Sequence, residues 1–160
     1  MRIGVEIEAG ELALALSWEQ AELSEAIGWA DGYIALAETP DDRLTRISLA
    51  RSVSQALEPL NSLSKDVDYW LIIARFVERI AYRSDIQAKE ALQLSKLLFH
   101  LAVRPDAPQY LAPFHSHWDE LSLAIDGVYG DVSACLDSFI SDLKQAAFLG
   151  SQVGASRCRS

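Results

Sequence analysis

Cysteine is scarce in this chain, with two in 160 residues, Cys135 and Cys158. Two thiols make no disulfide framework, and no Cys-x-x-Cys spacing suggests zinc or redox chemistry. The expectation is one half-buried thiol in a helical pattern and one exposed thiol in a polar tail. Long apolar runs are missing as well. A membrane span takes ~20 apolar residues, and the longest tempting stretch, Trp70-Leu71-Ile72-Ile73-Ala74, is closed by Arg75. The start of the chain, with Arg2 and then Glu6, Glu8 and Glu11, lacks the basic head and apolar middle of a signal peptide. These absences lead to the expectation of a soluble, cytoplasmic protein with no membrane contact. Catalytic signatures are absent too. There is no Gly-x-Ser-x-Gly, P-loop or dinucleotide fingerprint, and no helical Glu-x-x-His of the di-iron type. No catalytic or cofactor-binding residue is therefore nominated.

Apolar material is plentiful, at 50% of the residues. A chain of this length fits one domain, drawn here as residues 1–150 with a flexible tail over 151–160. The dominant period is helical. Residues 11–37 read as one long helix, with Leu12, Leu16, Leu23, Ile27, Ala30 and Ile34 on a single stripe. Gly28 and Gly32 fall inside it and mark either a close helix crossing or a break. Thr39-Pro40-Asp41-Asp42 reads as an N-cap, a first-position proline and a first-turn acid pair. The helix that follows should stop at Pro59, with 61–64 a loop. Further helices are expected over 65–83, over 86–104, from a Ser116/Asp119 capping box to the Gly127–Gly130 break, and from an Asp131 cap to Gly150. The helix over 86–104 is apolar on most sides, with a narrow polar stripe of Lys89, Gln93, Lys96 and His100. The predicted fold is all-α, a compact bundle of about six helices, with a short N-terminal strand-like segment where Ile3, Val5 and Ile7 alternate with polar or small residues.

Charge is distributed unevenly. Residues 1–42 hold ten acids against one base, Arg2, a net of −9, whereas 43–160 hold 13 bases and 13 acids. Such a chain opposes direct nucleic-acid binding, which needs a basic face toward the phosphates.

On a continuous helix, Trp18 and Trp29 project almost identically because they are eleven residues apart, with Tyr33, Leu36, Glu11, Glu22 and Glu25 near the same direction. Aromatic residues set among acids are the residue types of an interface for a basic partner. The alternative is that this helix is sandwiched and both tryptophans are core. A secondary patch is the ladder Arg75, Arg79 and Arg83, suited to phosphate or an acidic segment, or else to pairing with the chain's own acids. His100, His115 and His117, with Arg104 and Asp119 nearby in sequence, are the only cluster that an enzyme or zinc site could use, and their spacing is poor for convergence.

These features lead to the expectation of a non-enzymatic interaction protein. It would bind and inhibit a basic protein, such as a toxin or nuclease, through the acidic aromatic helix. Small acidic helical proteins of this class include immunity proteins and antitoxins. The rival readings are a helical enzyme or metal-binding protein built on the histidines, and a structural homodimer joined through the Trp18–Trp29 face.

Overall fold

The computed structural model describes residues 3–157, with side chains over 4–152. Its helices are α1 (Ile3–Ser17), α2 (Leu23–Leu36), α3 (Asp42–Ser48), α4 (Val53–Ser64), α5 (Tyr69–Ala81), α6 (Ala88–Ala102), α7 (His117–Ile125) and α8 (Val132–Arg157), with a 3₁₀ helix, Gln109–His115, between α6 and α7. No strand occurs among the described residues. The chain forms two compact units, residues 1–76 and 77–160, and the boundary falls inside α5. Among the described residues, no helix is long and apolar enough to cross a membrane.

In the first unit α1 lies on α4, α2 on α3, and α3 on α4. The alternation at 3–8, read as strand-like, belongs to α1. Val5, Ala9, Leu12 and Leu16 are all buried, and their steps of four, three and four residues are those of a helix face. Gly28 and Gly32 mark neither a close crossing nor a break, since α2 runs through both, and the close approach is at Gly10. A Cβ there would lie 2.5 Å from Ile72 Cδ1, whereas one at Gly28 or Gly32 would meet nothing within 4 Å.

The helix expected over 11–37 is two helices. At the end of α1 the Gln20 amide donates to the Ala15 carbonyl at 2.7 Å and the Glu19 amide to that of Leu16 at 3.3 Å. Glu19 between them has φ 57°. This is the paired closure of a Schellman motif, with a left-handed residue just past the helix. Glycine usually takes that position, and its absence here let the helical stripe run through the break unmarked.

The next predicted helix is also two. Asp41, rather than Thr39, is its cap, and its carboxylate accepts from the Arg43 amide at 2.9 Å. The chain turns again after Ser48, and Ser52 caps α4 by accepting from the Gln55 amide, while Gln55 Oε1 accepts from the Arg51 amide. Pro59 does not stop α4, which continues through the expected 61–64 loop to Ser64. An interior proline costs about 3 kcal/mol. Here Ala56, Pro59, Leu60 and Leu63 are all buried in the helix that lies on α1, and that burial offsets the loss.

In the second unit α6 packs on α7, α8 and the 3₁₀ helix, and α8 packs on α7 and the 3₁₀ helix. Leu94 and Leu98 of α6, Leu111 and Phe114 of the 3₁₀ helix, Leu121 of α7, and Phe139 and Leu143 of α8 are fully buried. Lys89, Gln93, Lys96 and His100 face solvent as one stripe. The turn between α7 and α8 holds Gly127 at φ 69° and Gly130 at φ 89°, values that suit glycine. Asp131 then accepts from the Ala134 amide at 2.8 Å, as expected of a cap. The Ser116 capping box does not form, since that side chain makes no cap hydrogen bond. Nor does Gly150 end α8. Cys135 is a half-buried free thiol, and Cys158 lies outside the described residues.

Candidate functional site

The break at Glu19 takes apart the face expected of one helix. Trp18 sits past the end of α1, half-buried, with its ring edge-on to Phe76 at 5.0 Å. Trp29 and Tyr33 stay together on α2, 5.3 Å apart, and both turn toward α1. The Trp29 indole N–H and the Tyr33 hydroxyl each donate to Glu8 Oε2 at 2.8 Å. Both also pack against the buried core of this unit. The two tryptophans therefore make separate internal contacts and do not form a common surface. Of the acids assigned to that surface, Glu11 is half-buried on α1, whereas Glu22 and Glu25 are exposed at the start of α2. Leu36, at the other end of α2, is 86% exposed.

Around that second end lies a groove of about 720 Å³. Val5 of α1, Tyr33 and Leu36 of α2, Ala37 and Thr39 of the link, and Leu44 of α3 line it, with Asp41 at its polar side. Tyr33 and Leu36 were nominated from the sequence; the other walls were not, because three separate chain segments supply them. Asp41 takes Arg43 Nε at 2.9 Å and Nη2 at 2.7 Å, while Arg43 Nη1 donates to the Ser62 carbonyl at 3.2 Å. The Arg43 side chain holds the Asp41 carboxyl below its ordinary range, against an opposing effect of burial.

The chain's own bases do not neutralise the acidic segment throughout. Arg43 pairs with Asp41, and Arg46 pairs with Glu58. Glu19, Glu22, Glu38 and Asp42 are exposed and stand in no ion pair among the described residues. Asp31, also exposed, accepts a hydrogen bond from the Ser48 hydroxyl. Glu19 and Glu22 lie at one end of α2, Glu38 and Asp42 beyond the other. At 1.5 Å per residue the helix between them spans roughly 20 Å.

The arginine ladder is shorter than its spacing suggests. Arg75 and Arg79 lie on α5, but α5 ends at Ala81 and leaves Arg83 in the following turn. There Arg83 binds Asp85 through Nε at 3.0 Å and Glu90 through Nη2 at 3.2 Å. Its pKa is raised by these carboxylates. Arg83 is thus held within the second unit.

The histidines divide. His100 and His115 are exposed and flank Phe99, with ring centroids 5.5 and 6.5 Å away. Trp118 completes that cluster, and Lys96 Nζ lies 5.3 Å from its ring centroid, so the nearby cation is an ammonium. His117 is a core residue rather than a cap or surface group. It is 3% exposed, between Phe114 and Phe139, with Nε2 2.7 Å from Asp142 Oδ2. Its Nδ1 has no hydrogen-bond partner among the described residues. The exposed Arg104 binds Asp106, and the exposed Asp119 joins no metal-binding group. Among the described residues, no three His, Cys, Asp or Glu side chains are grouped to hold a metal ion.

In comparisons with family models, curated proteins and solved structures, nothing matches this chain.

Proposed function

We propose that this chain is a non-enzymatic, cytoplasmic interaction protein that binds a basic protein partner through its acidic first unit. The observation that carries this reading is the set of exposed, unpaired carboxylates at both ends of α2: Glu19 and Glu22 at one, Glu38 and Asp42 at the other. Exposed charges of one sign raise the encounter rate with a partner of the opposite sign. Carboxylates on a rigid helical frame also suit a surface built to take phosphates. Occupying such a surface on a nuclease or toxin would inhibit it, in the manner of the immunity proteins and antitoxins among small acidic helical proteins.

The test has two stages. The tagged full chain is used to capture partners from extracts of its own cell, and each captured partner is then measured in purified form against wild type and a Glu19→Lys/Glu22→Lys variant. Both side chains are exposed, so the variant should fold as wild type does. The expected result is a basic partner whose association rate falls about tenfold with the variant and loses much of its salt dependence. Partners whose association kinetics and salt dependence are unchanged would overturn the reading.

A further inference from the structure

We infer that the groove between α1, α2 and α3 is the anchoring pocket for that partner, and that it takes a bulky apolar side chain flanked by lysine or arginine. The inference rests on the reading above and adds the place and the chemistry of the contact. Three observations meet there.

The first is shape and lining. The groove's volume of about 720 Å³ falls in the ~300–1,000 Å³ range of pockets that bury a ligand. Val5, Leu36, Ala37 and Leu44 give it apolar walls, and Tyr33, Thr39 and Asp41 complete the lining. The second is Leu36, which is 86% exposed at the edge of this pocket. An isolated exposed leucine is ordinary; one beside an apolar groove extends the surface that a partner can cover. Covering such a side chain removes apolar surface from water, which favours association.

The third is charge. Glu38 lies between the lining residues Ala37 and Thr39, and Asp42 follows the lining residue Asp41. Both are exposed and form no ion pair among the described residues. Among the described residues, the cation beside the groove is Arg43, which is already held by Asp41 and by the Ser62 carbonyl, and Glu6 also acts on it electrostatically. The groove therefore presents apolar walls beside two carboxylates, Glu38 and Asp42, that no described cation pairs. An acidic or neutral apolar segment would leave Glu38 and Asp42 unanswered, and a basic segment without an apolar side chain would leave the walls wet. A basic segment with one apolar residue between its cations satisfies both.

The probe is a pair of synthetic peptides rich in lysine and arginine, one with a central leucine and one with glycine in its place. Each is titrated into the ¹⁵N-labelled full chain while amide shifts are followed. The leucine peptide should move the amides of Val5, Tyr33, Leu36, Ala37 and Leu44, and bind about tenfold more tightly than the glycine peptide, the factor of a single good apolar anchor. Leu36→Ser should remove most of that difference, and because Leu36 is exposed the variant should keep its helical circular dichroism. Thr39→Trp, which fills the groove, should do the same.

Equal, salt-sensitive binding of both peptides at Glu19 and Glu22 alone would overturn the pocket while supporting the broader acidic reading. No shift with either peptide at low salt would count against both.

Discussion

The indole of Trp29 donates to Glu8 Oε2 at 2.8 Å, joining α2 to α1 across 21 residues of chain. Tyr33 donates to the same oxygen at the same distance. One carboxylate thus holds two aromatic side chains one helical turn apart. Hydrogen bonds to a charged acceptor contribute about 1.5–3 kcal/mol, and a buried donor that loses its acceptor is penalised further. Glu8→Ala should therefore destabilise the first unit by about 2–3 kcal/mol in denaturant titrations. Trp29→Phe and Tyr33→Phe should each cost less, and a double-mutant cycle of either with Glu8→Ala should show coupling above about 0.5 kcal/mol. Additive effects would mean that the shared acceptor is not what holds the rings.

The glycines make a sharper contrast. Gly10 has no room for a methyl group, since Ile72 and Ser64 side-chain atoms stand within 3.0 Å of the Cβ position. Gly28 and Gly32 have open space on α2. Gly10→Ala should destabilise by about 1–3 kcal/mol through overpacking. Gly28→Ala and Gly32→Ala should each stabilise by about 0.5–1 kcal/mol, since alanine is the better helix former. Thermal melts of the three single variants would check the opposite signs.

Glu19 holds a left-handed backbone conformation at φ 57° without being glycine. That conformation costs an L-residue roughly 1 kcal/mol relative to glycine. Glu19→Gly should raise stability by up to about 1 kcal/mol. A fall in stability would mean that the glutamate side chain contributes more to the fold than its exposed position suggests.

The Asp41–Arg43 pair gives a pH dependence of known sign. The Arg43 side-chain hydrogen bonds lower the folded pKa of Asp41 below its ordinary value of 3.8, against the opposing effect of burial. A depressed carboxyl pKa stabilises the fold above the unfolded pKa, and the contribution is lost as pH falls through the folded one. Wild type should therefore lose stability relative to Asp41→Asn only below about pH 4. Urea titrations of both proteins between pH 7 and pH 2 would show this as a narrowing gap; a constant gap would contradict it.

His117 and Asp142 test the second unit. Asp142→Ala should leave His117 buried with neither ring nitrogen paired among the described residues, at about 1–3 kcal/mol. A double variant His117→Phe/Asp142→Leu should lose less, because no buried polar atom is then stranded. If the double variant is the worse of the two, the aromatic slot between Phe114 and Phe139 is specific for imidazole.

Where local chemistry and tertiary packing agree, the sequence was readable. The polar stripe of α6, the Gly127–Gly130 turn and the Asp131 cap all lie where spacing and turn residues put them. The Ser52–Gln55 signal was equally present and marks the start of α4, but a continuous apolar pattern ran over it. Pro59 and Glu19 were not readable locally. Burial along α4 keeps a proline in mid-helix, and a glutamate takes a position that normally advertises itself as glycine. That second exception decided the candidate site. With α1 and α2 joined in one helix, Trp18 and Trp29 align; with the chain turned at Glu19, each finds its own internal partner. Tyr33 and Leu36 survive as parts of a surface, but Val5 and Leu44 join them only through folding.

The boundary between the two units lies between Phe76 and Val77, both fully buried and both within α5. A cut there would leave eight helical residues on one piece and five on the other. Both are shorter than the ~12–15 residues that an isolated helix needs. The protein is thus divisible by its cores but not by its backbone. Neither piece would inherit a whole α5. A protease that recognises exposed loops should find no foothold at this seam, and the acidic half is best studied with the rest of its chain attached.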